Sequence, residues 1–214
     1  MLWSASPQMI PYVIMAMLPA LTFHEWGHAA MAKRFGDNTA ELEGRLTLNP
    51  FAHLDLFGAL AILLIGFGWA KPVPVNPNNL RGKWAEFWVA CAGPLMNIAL
   101  AISFSVLLLS NVGSFLPERQ AGMLSQLLVI SIVMNFALAL FNMIPIGPLD
   151  GQKVMARLLP LRQSFAFDDW NARYGAMLLL GVILIEMLMR GGPLTLLVWW
   201  PSQQLTSLIL SLAG

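Results

Sequence analysis

The stretch IPYVIMAMLPALTFHEWGHAAMA, residues 10–32, decides the class of fold. Its length matches the roughly 20 residues with which a helix crosses a bilayer, yet it carries the ionisable side chains His24, Glu25 and His28. Ionisable groups inside a membrane are costly and mark functional sites. No basic region precedes the stretch, as it would in a cleaved signal peptide. We therefore expect a membrane helix of the mature chain that carries part of a functional site.

The composition of the whole chain agrees with a membrane protein. Of its 214 residues, 57% are hydrophobic and 11% are charged, where a soluble domain has roughly 25% charged residues, and the mean hydropathy is +0.68. Folded in water, such a chain would expose apolar patches larger than soluble proteins tolerate. The net charge of +1 and the scattered basic residues also argue against a nucleic-acid partner. The lipid bilayer is the expected environment.

Four apolar runs have a length that suits a membrane span: residues 10–32, 84–109, 122–144 and 174–189. A fifth run, residues 56–70, is short and rich in glycine, which favours a re-entrant segment over a spanning helix. A sixth, residues 194–212, is interrupted by Pro201, so it is either a bent span or an interfacial helix.

The distribution of Lys and Arg favours the re-entrant interpretation of residues 56–70. If this segment returns to the side from which it came, only Arg119 and Arg190 of the 12 basic residues lie outside the cytoplasm. If it spans instead, the two sides become nearly equal, against the usual enrichment of basic residues in cytoplasmic loops.

The sequence thus predicts an all-α polytopic membrane protein with about 4–6 transmembrane helices and a re-entrant segment after the first helix. A single domain is expected over residues 1–214, with a core at 8–190 and a C-terminal hydrophobic or interfacial helix at 191–214. The site would face the cytoplasm.

The motif HEWGH at residues 24–28 is typical of a zinc site. On a helix, His24 and His28 share a face and can reach one ion, while Glu25 is placed to act as general base on water rather than as a ligand. A catalytic zinc needs a third protein ligand and an open position. Asp150 is the leading candidate, because it follows an irregular segment rich in Pro and Gly that ends a span. His53, Asp55 and Glu186 remain alternatives.

With these motifs in hand, the chain resembles the site-2 protease family, the intramembrane zinc metalloproteases. That family is marked by HExxH, here residues 24–28, and by NxxPxxxLDG, here residues 142–151. A third shared motif, GPxxN, is present at residues 93–97, and GFGWAKPVPVNP at residues 66–77 resembles the short members that lack PDZ or CBS domains. The resemblance covers about residues 8–190.

The resemblance implies a zinc endopeptidase of regulated intramembrane proteolysis, with transmembrane proteins as substrates and one zinc ion per chain. It implies that His24, His28 and Asp150 bind the zinc and that Glu25 activates water. By the same resemblance the bacterial inner membrane is the expected location.

Further residues are expected near the substrate. The resemblance implies that Asn142 and Asn97 lie near the site and that Gly66 and Gly68 belong to an element that pairs with an unwound substrate by β-augmentation. An equal alternative for Asn97 is hydrogen bonding between helices. His53 could reach the site as a hydrogen-bond partner of a ligand, or could simply lie at the membrane interface.

Three other functions compete with this one. A zinc transporter or sensor would need ligands on several spans at different depths, whereas these residues concentrate on one span and one loop. An inactive homologue that still binds substrate would not need every residue of the chemistry. An unrelated HExxH membrane peptidase would use a histidine or glutamate where this chain offers Asp150. The oligomeric state stays open.

Overall fold

A computed structural model of the chain describes residues 7–55, 58, 61, 68–189 and 191–211. Helices make up 76% of it, and the described residues contain no strand. The prediction of an all-α polytopic membrane protein is confirmed.

Seven α-helices follow one another along the described chain. They are α1 (Ile10–Arg34), α2 (Thr39–Leu42), α3 (Ala85–Leu109), α4 (Glu118–Asn142), α5 (Asp150–Leu158), α6 (Leu161–Met189) and α7 (Trp200–Ser211). A π-helical turn, Thr195–Trp199, leads directly into α7.

Three of the described helices, α3, α4 and α6, are long and apolar enough to cross a membrane. The predicted spans at residues 84–109 and 122–144 correspond closely to α3 and α4. The helix α6 begins at Leu161, well before the predicted span at 174–189, because the polar stretch that precedes the span is itself helical. The number of transmembrane helices beyond these three stays a prediction.

The helices α1, α3 and α4 pack against one another and form the centre of the molecule. Small side chains line their contacts, among them the buried Ala16, Ala20 and Ala101. At Gly27 an added Cβ would lie 2.9 Å from the carbonyl oxygen of Ala92. Small residues let membrane helices approach closely, and this close approach brings the polar groups of α1 and α3 within hydrogen-bonding distance.

The remaining helices surround this centre. The short helix α5 contacts α3 and α6, and α7 lies against α4, where Ile209 packs on a cluster of Ala101, Ile132 and Phe136. The predicted C-terminal hydrophobic helix is therefore part of the bundle. Its depth in the bilayer stays a prediction.

The predicted re-entrant segment at residues 56–70 lies largely outside the described residues. Its two ends are described and they meet: Leu54 and Ala70 form an antiparallel bridge, and the N–H of Lys71 donates to the carbonyl of His53 at 2.9 Å. Ends that meet in this way are what a re-entrant course requires. The course itself stays a prediction.

Candidate metal centre

Three ligand atoms from two distant parts of the chain converge beside α3. The Nε2 atoms of His24 and His28 lie 3.1 Å apart on one face of α1, and Oδ2 of Asp150, the first residue of α5, lies 3.2 Å from each of them. Both histidines are buried. Within the described chain, these residues form the one group of three that could hold a metal ion.

Hydrogen bonds to α3 fix the orientation of both imidazole rings. Nδ1 of His24 lies 2.7 Å from Oδ1 of Asn97, while the amide nitrogen of Asn97 donates to the carbonyl of Ala20 at 2.9 Å and to Oδ1 of Asn135 at 3.0 Å. The amide oxygen of Asn97 must therefore accept a hydrogen bond from Nδ1–H of His24. Nδ1 of His28 likewise donates to the carbonyl of Val89 at 2.7 Å. With both protons on Nδ1, each Nε2 carries a lone pair, as in a metal-binding histidine.

The residues fit a zinc ion. Two Nε2 lone pairs and a carboxylate oxygen face one another, and Oδ2 of Asp150 is buried with no hydrogen-bond partner. Such an arrangement is repulsive unless a cation lies between the three atoms. Tetrahedral zinc with bonds of about 2.1 Å holds its ligand atoms roughly 3.4 Å apart, close to the separations found here. His24, His28 and Asp150 can therefore form a zinc site.

An ionised Asp150 and two neutral imidazoles are the charge states that metal binding requires.

Glycine at two positions leaves room for the site. A Cβ on Gly93, in the middle of α3, would lie 2.7 Å from the ring of His24 and closer still to that of His28. A Cβ on Gly151 would lie 2.5 Å from the carbonyl oxygen of Ile144, in the turn that precedes α5. A side chain at either position would displace the ligands.

Glu25 lies beside the three ligand atoms but is not one of them. Its side chain is buried, and its Oε2 accepts a hydrogen bond from the main-chain N–H of Val73 at 2.8 Å. This contact fixes the orientation of the carboxylate.

The other predicted site residues lie in different surroundings. Asn97 is fully buried between helices, and its contact with substrate stays a prediction. Asn142 is partly buried at the end of α4, where its amide nitrogen donates to the carbonyl of Leu138 at 3.0 Å. Gly68 is partly buried, and Gly66 lies outside the described residues.

The alternative third ligands are engaged elsewhere. Nε2 of His53 lies 2.8 Å from the carbonyl of Thr47. Oδ1 of Asp55 accepts from the N–H of Gly58, and Oε2 of Glu186 accepts from the N–H of Leu194 at 2.9 Å. Among the described residues, none of the three belongs to the group of ligand atoms that could hold a metal ion.

Sequence reasoning missed Asn135 and Asn171. Asn135 is fully buried in α4 and connects Asn97 to the carbonyl of Ser131. Its signal was available, since an amide inside an apolar span needs a partner on another helix. Asn171 gave no comparable signal, because it stands in a polar stretch.

The chain is similar to known proteins of one family. Residues 12–122 and 116–182 match the model of peptidase family M50. No solved structure matches the chain significantly.

Among curated proteins, the relatives carry names that specify zinc and proteolysis. The "Putative zinc metalloprotease YwhC" of Bacillus subtilis is 42% identical over 155 residues, 71% of each chain. The "Putative zinc metalloprotease Rip2" of Mycolicibacterium smegmatis is 37% identical over 145 residues, 65% of this chain and 54% of that relative. A "Putative zinc metalloprotease" of Methanocaldococcus jannaschii is 33% identical over 145 residues, 66% of this chain and 68% of its own.

Proposed function

The chain belongs to peptidase family M50, the site-2 protease family, and from this premise we propose that it is an intramembrane endopeptidase. Its substrates would be membrane proteins, cut in or near their transmembrane segments. The family and the apolar helices make it a membrane metalloprotease. The substrate class, the cut within the membrane and the roles of individual residues are the proposal.

One observation carries the proposal: three lone-pair atoms, 3.1–3.2 Å apart, converge beside a carboxylate that is not among them. A transporter would release its ion along a path of ligands, whereas this set is compact and its imidazoles are held rigidly by α3. A fixed metal beside a separate base is the arrangement that hydrolysis needs.

In the proposed mechanism, His24, His28 and Asp150 would hold zinc. Zinc bound there supplies a Lewis acid that activates water and polarises a carbonyl group. Glu25 takes the proton of the attacking water on Oε1 and passes it to the leaving nitrogen of the cut peptide bond. Val73 keeps the other oxygen of Glu25 in place throughout.

A helical substrate must unwind before it can be cut, because its carbonyl groups are closed in the i to i+4 ladder. Substrates with helix-breaking residues should therefore be favoured. We propose that Gly66 and Gly68 belong to an element that pairs with the unwound chain, and that Asn142, whose amide can both donate and accept, holds the substrate backbone.

The same proposal places the protein in the inner membrane of a bacterial cell, with the site open to cytoplasmic water. The Lys and Arg distribution supports that orientation. A single domain over residues 1–214 would carry the whole activity.

The decisive experiment is cleavage of tagged single-pass membrane proteins by the purified chain in detergent. Wild type should cut a substrate with a helix-breaking residue near the middle of its span and should cut an all-leucine span far more slowly. Glu25→Gln should reduce the rate by several orders of magnitude while keeping zinc, because the ligands are unchanged. A chelator should abolish cleavage, and added zinc should restore it.

Two results would contradict the proposal. If Glu25→Gln cleaved the substrate at the wild-type rate, Glu25 would not be the general base. Zinc release along an imposed ion gradient in vesicles, without cleavage of any substrate in the panel, would favour the transporter.

A further inference from the structure

The loop that carries Asp150 is held from the side by α6. This loop, residues 143–149, runs from the end of α4 to the start of α5. In its middle, the main-chain N–H of Gly147 donates to Oδ1 of Asn171 at 2.7 Å. Asn171 is 5% exposed, and its amide nitrogen donates to the carbonyl of Phe167 within α6. Both halves of this amide are therefore in use.

The next turn of α6 fits the same part of the loop. A Cβ on Gly175 would lie 2.8 Å from the carbonyl oxygen of Gly147 and 3.1 Å from its nitrogen. Only glycine at 175 allows the loop to lie this close to the helix. Asn171 and Gly175 together form a cradle for the peptide groups of Gly147.

This cradle continues along one face of α6. The buried residues of the helix are Asn171, Gly175, Leu179, Ile183 and Glu186. Positions three or four apart share a face, and here that face meets the ligand loop: Leu179 and Ile183 pack in one cluster with Leu149. The rest of α6 is largely exposed: only 17% of the 18 residues in its most apolar stretch are buried.

A second contact ties α6 to the helix of the ligand itself. The amide nitrogen of Gln152, two residues after Asp150, lies 2.5 Å from Oδ1 of Asp168 on α6. The ligand is thus flanked by two hydrogen bonds to the same helix, one three residues before it and one two residues after it.

We propose that Asn171 is a positioning residue for the metal ligand Asp150. Irregular backbone at membrane depth is stable only where protein satisfies its polar groups, and Asn171 does this for the loop that sets the place of the carboxylate. Without that acceptor the N–H of Gly147 would be buried without a partner, and the loop would shift to find one. Asp150 would then lose its alignment with His24 and His28. This inference rests on the proposed role of Asp150 as zinc ligand.

Zinc affinity is the test, because it is independent of proteolysis. The full-length protein in detergent is titrated with zinc against a chromophoric chelator. Asn171→Leu, similar in shape but without the acceptor, should raise the zinc dissociation constant about 10-fold, because Asp150 loses part of its alignment when the N–H of Gly147 has no acceptor. Asn171→Asp keeps the acceptor for Gly147 but loses the donor to Phe167, so its affinity should lie between those of wild type and Asn171→Leu.

A pair of glycine variants on the same helix gives a matched control. Gly175→Ala should weaken zinc binding as Asn171→Leu does, whereas Gly181→Ala should not, because nothing lies within 4 Å of a Cβ at 181. The unfolding temperature of the metal-free protein is measured for all variants. If the role is one of positioning, the loss of zinc affinity in Asn171→Leu and Gly175→Ala should exceed what any loss of folding stability explains.

The outcomes separate this inference from the proposed function. His24→Ala with the zinc affinity of wild type would show that the metal site is wrongly assigned. If His24→Ala loses zinc while Asn171→Leu and Gly175→Ala bind it as wild type does, the positioning role alone is overturned. It is also overturned if Gly181→Ala loses as much affinity as Gly175→Ala.

Discussion

The main-chain N–H of Val73 donates a hydrogen bond to Oε2 of Glu25 over 2.8 Å, and both residues are buried. The two residues are separated by 48 positions in the chain. The donor is a backbone group, so its position depends on the path of the chain from residue 71 to residue 76 and not on a side-chain rotamer.

That path is fixed on both sides of Val73. Before it, Lys71 donates from its N–H to the carbonyl of His53 and accepts from Nη2 of Arg45 at 2.7 Å. After it, the N–H of Asn76 donates to Oδ2 of Asp37 at 2.8 Å. The two prolines that flank Val73 carry no N–H and favour an extended backbone. Val73 is therefore the donor that this segment offers to Glu25.

Removing the main-chain N–H of Val73 should lower turnover. Val73→Pro deletes the N–H in a segment that is already rich in proline, and Val73→Ala keeps it. A hydrogen bond to a charged group contributes about 1.5–3 kcal/mol, so kcat of Val73→Pro should fall roughly 10–100-fold. KM and zinc content should stay near those of wild type. The measurement is steady-state cleavage of a substrate in detergent; equal losses in Val73→Ala and Val73→Pro would refute the role of the N–H.

Asn97 should control zinc affinity through His24. In Asn97→Leu, Nδ1 of His24 loses its acceptor, so neither the orientation of the ring nor its tautomer is fixed. The zinc dissociation constant should rise about 10–100-fold. Asn97→Asp keeps an acceptor for His24 but loses the donors to Ala20 and Asn135, so its affinity should be intermediate. Competition with a chelator measures the zinc affinity of all three proteins. If Asn97→Leu bound zinc as tightly as wild type, the prediction would be contradicted.

A methyl group at position 93 should exclude the metal. The Cβ of Gly93→Ala would overlap the rings of His24 and His28, so one ring must turn away. Zinc content after purification should fall to a small fraction of one ion per chain. Gly122→Ala, on α4, is the matched control, because nothing lies within 4 Å of a Cβ there. Full zinc content in Gly93→Ala, measured by metal analysis, would show that the rings can move aside.

Much of the site was predictable because its signals are local. His24 and His28 are four residues apart, and the helix alone brings them together. The predicted span at 84–109 and α3 agree within a residue because that run is apolar over most of its length. Residue types and positions alone did not identify the third metal ligand, since His53, Asp55 and Glu186 are also ionisable groups in or near apolar runs. The folded chain distinguishes Asp150, because its Oδ2 lies 3.2 Å from Nε2 of both histidines, a convergence that no spacing encodes.

What could not be predicted depends on contacts between distant segments. Asn171 and Gly147 are 24 residues apart, and their hydrogen bond joins a side chain to the backbone of an irregular loop. Such contacts leave no period in the sequence. The early start of α6 was missed for a related reason, because a polar stretch becomes helical where one face packs on α5.

Asp37 should make the stability of the protein depend on acid pH. This side chain has no exposed surface and lies just beyond α1. Burial raises the pKa of its carboxyl group, but hydrogen bonds from Thr39, Asn79 and the N–H of Asn76 outweigh burial and lower the pKa below its usual value. A carboxylate whose pKa is lower in the folded state stabilises that state above the unfolded pKa of about 3.9. This stabilisation is lost as the pH falls through the folded pKa.

The variant Asp37→Asn should therefore unfold about 5 °C below wild type at pH 7, as expected for losing hydrogen bonds to a charged group in a chain of this size. The difference in unfolding temperature between the two proteins should narrow as the pH falls below about 4. There the wild-type carboxylate becomes protonated and loses the same stabilisation. This difference is measured by thermal unfolding across this pH range, with intrinsic tryptophan fluorescence as the signal. Asp169→Asn is the control: Asp169 and Arg173 form an exposed pair on α6, and exposed pairs contribute little to stability. A gap between Asp37→Asn and wild type that stays constant with pH would mean that the charge of Asp37 is not what stabilises these loops.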